Sequence, residues 1–211
     1  MVDKELEYTV EDGKFLVELA RKSIIHFLTF GKVIAIPDNV PKKLQENAGV
    51  FVTLNKRDEM GGKGLRGCIG YVLPVYPLVK ATIEAAKSAA VNDPRFSTVQ
   101  IEELYDIEIE VTILTPPKKI EVDDPLEYLD EIAIGRDGLI VKNGGRSGLL
   151  LPQVPMEWEW TVEEFLEHTC QKAWLPKNCW KDPKTVIESF TGIIFHEIEP
   201  NGEVIRKEFW E

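Results

Sequence analysis

Cysteine and histidine are scarce in this chain, three of each among 211 residues, and their scarcity excludes several chemistries. Cys68, Cys170 and Cys179 are an odd number and contain no Cys-x-x-Cys pair. His168, Cys170 and Cys179 are near in sequence, but a fourth ligand is missing and the spacing is irregular, so no metal site is expected. A Cys170–Cys179 disulfide is expected only if the source is a thermophile that keeps intracellular disulfides. The Lys- and Glu-rich composition permits that origin. No Gly-x-x-x-x-Gly-Lys-Ser/Thr phosphate loop, radical-generating three-cysteine motif or local Ser/His/Asp set is present, and no cofactor is expected. Positive charge is also short, with 25 Lys plus Arg against 36 Asp plus Glu and a net charge of −11. That balance argues against general nucleic-acid binding or an anionic membrane partner. No apolar run approaches the ~20 residues needed to cross a bilayer. The start, Met1–Glu7, is acidic and lacks the order of a signal peptide, so a cytoplasmic location is expected.

With 44% hydrophobic and 29% charged residues, the chain has the composition of a globular protein. Its densest feature is Gly61-Gly-Lys-Gly-Leu-Arg-Gly-Cys-Ile-Gly-Tyr71, where glycines allow positive φ or close approach of another group. The stretch follows the apolar run Val50–Leu54, and the two read as a hairpin whose loop, 55–64, is long and cationic. Gly62–Gly67 matches Gly-x-Gly-x-x-Gly but precedes a strand, which rules out a dinucleotide fingerprint. Arg66 and Cys68 are two apart, so an extended chain points both to one face. A guanidinium there would favour the thiolate. The alternative is that Cys68 is a small buried hydrophobe. Lys56, Arg57, Lys63 and Arg66 concentrate around the loop, whose amides could form an anion-binding concavity.

Leu65-Arg66-Gly67-Cys68-Ile69-Gly70 resembles the signature of the AMMECR-domain family. Asp93-Pro-Arg-Phe96, Gly135-Arg-Asp-Gly138, Leu151-Pro-Gln-Val154 and Trp160 follow in the family's order, and the resemblance spans roughly residues 14–198. It implies an α+β fold of two subdomains with a cleft between them, faced by Cys68, and no settled activity. It also implies Memo-like and radical-SAM-like proteins as partners in a modification system.

The rest of the chain supports that fold class. Thr9-x-x-Asp12 starts a helix with an apolar stripe from Leu16 to Leu28, stopped by Gly31. A second helix runs from Leu78 to about Val91 and ends at Asn92-Asp93-Pro94. Ser97 is expected to cap a short helix to Leu104. Ile107, Ile109, Val111 and Ile113 alternate with Glu108, Glu110 and Thr112, a half-buried strand. A turn from Asp124 to about Ile132 precedes a second hairpin at 138–151, turned at Asn143-Gly144, and Thr161-x-x-Glu164 opens another helix. Val186–Glu199 and Glu203–Phe209 read as a third hairpin, with His196 a hydrogen-bonded structural residue. Antiparallel hairpins packed with helices are expected in a single family domain with approximate halves at 1–115 and 116–211.

Two functions compete. In the first, a cysteine-dependent enzyme acts on a small anionic or carbonyl substrate, with Cys68 as nucleophile, Arg66 and Arg95 holding charge, and Glu108 or Glu110 accepting a proton. In the second, the glycine-rich Arg/Cys groove is a non-catalytic binding module for a peptide or protein. The catalytic set is Cys68, Arg66 and Glu110, and the ligand-binding set Lys63, Gly67, Gly70, Asp93, Arg95 and Gln153.

Overall fold

The first helix, α1 (Val10–Phe30), forms where its capping signal lies. The Thr9 hydroxyl accepts the Asp12 N–H, Asp12 accepts the Thr9 N–H, and Gly31 closes the helix at φ 67°. A computed structural model describes residues 8–58, 60 and 62–207 of the chain. The acidic start, Gly61 and the Phe209 end of the third hairpin lie outside the described residues.

The first hairpin pairs β1 (Gly49–Arg57) with β2 (Lys63–Tyr71). Its strands run further than the sequence pattern suggests, and the loop is correspondingly short. Asp58 closes it, its N–H donating to the Gly62 carbonyl and its carboxylate accepting the N–H groups of Met60 and Gly62. The next helix, α2 (Leu78–Val91), has an alanine-rich face buried against β1 and β2. A 3-10 turn at Ile101–Tyr105 follows. Its cap is Gln100 instead of Ser97, because Glu103 reaches back to the Gln100 N–H.

Beyond it come β3 (Ile107–Leu114), β4 (Lys118–Lys119), α3 (Tyr128–Glu131), β5 (Gly138–Asn143) and β6 (Arg146–Leu150). Then follow α4 (Gln153–Glu157), α5 (Val162–Lys172), β7 (Val186–Phe190), β8 (Gly192–Glu197) and β9 (Val204–Lys207). The β5–β6 turn is Gly144-Gly145, both at positive φ as a two-residue hairpin requires.

Among the described residues, 8–114 and 193–207 form one compact unit, and Thr115–Gly192 form the other. The long run Val186–Glu199 is therefore two strands in two sheets. It breaks at Thr191, whose carbonyl accepts the Thr115 N–H.

The first unit is a five-stranded sheet in the order β2-β1-β3-β8-β9. Its core joins Leu16, Ile24, Leu54, Ile83, Ile109 and Phe195, so α1 and α2 cover one face. The second unit holds β4-β7-β5-β6 against α5 around Phe165, Trp180, Leu139 and Ile187. Cys170 and Cys179 are disulfide-bonded in that core, the pairing that the sequence left conditional on a thermophilic source. The helical stripe that buries Cys170 carries it to within bonding distance of Cys179, which lies in a turn packed on α5. The protein is thus α+β with antiparallel sheets.

Candidate functional site

A β-bulge decides the geometry around the glycine-rich strand. Thr53 pairs with Cys68 and Leu54 with Gly67, but Asn55 pairs with Leu65, so Arg66 is an extra residue in β2. The period-two argument that placed Arg66 beside Cys68 fails there, because a bulge interrupts the alternation. The Arg66 guanidinium instead forks onto Glu103, with Nε–Oε2 3.0 Å and Nη2–Oε1 2.9 Å, and Nη1 donates to the Ser97 carbonyl. Lys56 donates to the same carboxylate at 2.9 Å. These bonds, the Arg66 pair foremost, hold the Glu103 carboxyl down at about 2.

The cationic loop is in fact two ion-pair clusters. Lys56 and Arg66 share Glu103, while Arg57 and Lys63 share Glu108. None of the four is left to gather anions in the way the sequence pattern suggests.

The glycines of the signature set packing distances. A Cβ on Gly67 would lie 2.2 Å from the Ala89 carbonyl of α2, and one on Gly70 2.3 Å from the Val50 carbonyl. Gly67→Ala is therefore expected to lower stability by about 2 kcal/mol, because helix backbone must move to admit a methyl group. Urea denaturation read by circular dichroism checks this. A loss below ~0.5 kcal/mol would show that α2 is free to shift.

Asp93-Pro94-Arg95, just past α2, clasps the edge strand. The Cys68 N–H donates to Asp93 Oδ2 at 2.8 Å, and Arg95 donates to the same carboxylate from its backbone N–H, Nε and Nη2. Arg95 Nη2 also lies 3.4 Å from the Cys68 carbonyl. The Arg95 hydrogen bonds, followed by the backbone donors, drive the buried Asp93 carboxyl far below the usual range. Cys68 and Arg95 are thus adjacent although 27 residues separate them in sequence.

Cys68 lies in the row Cys68, Thr53, Glu110, which crosses β2, β1 and β3 on the sheet face opposite α1 and α2. The Thr53 hydroxyl donates to Sγ at 3.2 Å. Burial nevertheless pushes the thiol up. The Thr53 hydrogen bond and Arg95 pull it down, while Glu110 and Asp93 oppose them. The cation acting on this thiol is Arg95, not Arg66. Two strand spacings put the Glu110 carboxyl on the order of 10 Å from Sγ, too far for direct proton transfer.

One pleat along the same face is a pocket of about 110 Å³, lined by Asn55, Lys63, Glu108, Glu110, His196 and Lys207 together with Ile109. Burial raises the Glu110 carboxyl pKa, opposed by Lys207 and Lys63. Burial first, then the same two lysines, lowers that of His196. His196 Nδ1 is buried with no hydrogen-bond partner among the described residues, which corrects the expectation of a satisfied structural histidine.

Of the sequence candidates, Lys63 and Glu110 line this pocket, and Cys68, Asp93 and Arg95 form the adjoining clasp. Gly67 and Gly70 shape β2, and Arg66 anchors Glu103. Gln153 opens α4 in the second unit. Glu108 was named as a proton acceptor, but Arg57 and Lys63 hold it. His196 and Lys207 escaped the sequence reading of the site. Their only signal was a polar residue alternating with apolar ones on a strand, which surface strands share.

The family model AMMECR1 matches residues 17–195. A protein of Thermococcus gammatolerans is 54% identical over 95% of this chain and 98% of its own length. One from Pyrococcus abyssi is 55% identical over 93% and 96%. The crystal structure of an uncharacterized protein from Pyrococcus horikoshii superposes with a TM-score of 0.79 at 52% identity, covering 94% of this chain and 97% of that one. These relatives come from thermophiles, the setting in which disulfides such as Cys170–Cys179 persist inside cells.

Proposed function

The chain belongs to the AMMECR1 family, and on that premise we propose that it binds a small anionic or carbonyl-bearing ligand on the sheet face carrying Cys68 and the Glu110 pocket. The observation that carries this reading is the state of Cys68. Burial raises the pKa of its thiol, which disfavours the thiolate, and the neighbouring Asp93 carboxylate is engaged in structural hydrogen bonds. A resting nucleophile needs the opposite, a depressed pKa or an adjacent base. The Memo-like and radical-SAM-like proteins implied by the resemblance would, in this reading, supply or consume the ligand.

A cysteine-dependent enzyme is the second reading. It is favoured by the Thr53 hydroxyl on Sγ and the Arg95 charge, both of which stabilise a thiolate. Cys68 would then be the nucleophile, Arg95 would hold the substrate's charge, and Glu110 would accept a proton through an intermediary.

Alkylation of Cys68 by iodoacetamide as a function of pH separates the two. The binding reading expects the rate to rise through a midpoint above the ~8.5 of a free thiol. Arg95→Gln should move that midpoint further up, because it removes a charge that favours the thiolate, and Arg66→Gln should leave it in place. A midpoint below about 7 would overturn the binding reading in favour of the enzyme.

A further inference from the structure

The ligand's chemistry can be taken further, on the premise of the binding reading above. In the Glu110 pocket, Glu108 is already answered by Arg57 and Lys63. Besides the Asn55 carboxamide, three polar groups there retain unused capacity. The Lys207 ammonium and the Glu110 carboxyl make no hydrogen bond or salt bridge among the described residues, although the Lys207 charge acts on both Glu110 and His196. The third is His196 Nδ1, buried and without a partner among the same residues. A buried polar atom left unpaired is costly, so a site that holds one is matched by whatever supplies the missing bond.

The three groups ask for two different things. Lys207 calls for an anion, whereas the Glu110 carboxylate and an accepting imidazole nitrogen call for a donor with positive charge. A simple anion would answer Lys207 while setting like charge against Glu110 and leaving Nδ1 without a donor. A simple cation would meet Lys63 and Lys207. No group of three or more His, Cys, Asp or Glu among the described residues is placed to hold a metal ion. Burial lowers the His196 pKa and so favours the neutral imidazole, the form in which Nδ1 can accept.

Size narrows the class. An engineered apolar cavity of ~150 Å³ takes benzene, with six heavy atoms, so the pocket's volume of about 110 Å³ suits roughly four or five, and its open side admits one more.

We propose that this pocket binds a small zwitterion of the α-amino-acid type, its carboxylate on Lys207 and its ammonium donating to Glu110 and to His196 Nδ1. Glycine and alanine have the size and the charge pair. The Asn55 carboxamide, on the wall of the same pocket, can serve either end.

The test is an NMR titration of the full chain at fixed pH and ionic strength, following the imidazole signals of its three histidines. Glycine, alanine, acetate and methylammonium are the probes. Glycine or alanine should shift His196 saturably, leave His26 and His168 in place, and bind at least about tenfold more tightly than acetate or methylammonium. Lys207→Met and Glu110→Gln should each weaken glycine at least about tenfold, with folding checked by circular dichroism. Lys207 lies at the end of the last described strand, so its variant reports even if Glu110→Gln disturbs the sheet. Acetate binding as tightly as glycine would overturn the zwitterion and leave the anion-binding reading standing. Methylammonium binding as tightly would overturn both the zwitterion and the anionic ligand. Undiminished glycine binding by both variants would place the ligand elsewhere and overturn the assignment. No shift of His196 by any probe, with Cys68 also unperturbed, would remove the amino-acid assignment and the binding reading together.

Discussion

Arg21→Met is expected to destabilise the first unit by about 3–5 kcal/mol. Arg21 leaves α1 to meet Glu197 of β8, with Nε–Oε1 at 2.8 Å and Nη2 on Oε2. It also donates to the carbonyls of Leu104 and Ile107, and Glu197 Oε2 accepts the Ile109 N–H at 2.8 Å. One ion pair thus joins α1, the 3-10 turn before β3, β3 itself and β8. Both side chains are almost fully buried, 8% and 4% exposed. Removing the cation leaves a carboxylate in an apolar surrounding with a single backbone donor, which is why the cost exceeds that of an exposed pair. Replacing both partners, as Arg21→Met with Glu197→Gln, should recover part of the loss, because the uncompensated charge disappears while the two carbonyls stay unpaired. Urea denaturation of the single and double variants measures this. A single variant within ~1 kcal/mol of the parent would mean that the pair is hydrated in solution.

Reduction of Cys170–Cys179 is expected to cost about 3 kcal/mol, the chain entropy regained when a loop of ~10 residues is opened. The bond ties the end of α5 to the turn that carries Trp180, both in the core of the second unit. In denaturant without reductant, one thiol, Cys68, should react with Ellman's reagent; after reduction, three should. A denaturation curve of the second unit unchanged by reductant would mean that the unfolded chain retains enough local structure to make the cross-link redundant.

Local chemistry explains how much of the fold was legible in the residues. The capping boxes at Thr9 and Thr161 and the stop at Gly31 are decided by atoms within four residues of one another. By contrast β3, whose alternation reads as a half-buried strand, is buried on both faces, Glu108 and Thr112 included. The expectation failed where one residue changed a pattern's phase or where distant segments met. The bulge at Arg66 follows from the pairing of β2 with β1, and nothing within β2 announces it. The split at Thr191 follows from the Thr115 segment pairing with it. Arg21 lies among the apolar positions of α1, and its carboxylate partner is 176 residues away.

The candidate site divides along the same line. By itself the sequence determined the family-like signature, the α+β class, the glycine at 67 that admits α2 close to β2, and the Glu108–Glu110 alternation. These depend on residue size, backbone freedom and short-range hydrogen bonding. Only the tertiary structure decided that Arg95 and not Arg66 acts on Cys68, that the loop cations are neutralised by Glu103 and Glu108, and that His196 and Lys207 share a pocket with Glu110. Electrostatics and burial act through space, and the distances that set them exist only once β1, β2, β3, β8 and β9 have found their order in the sheet.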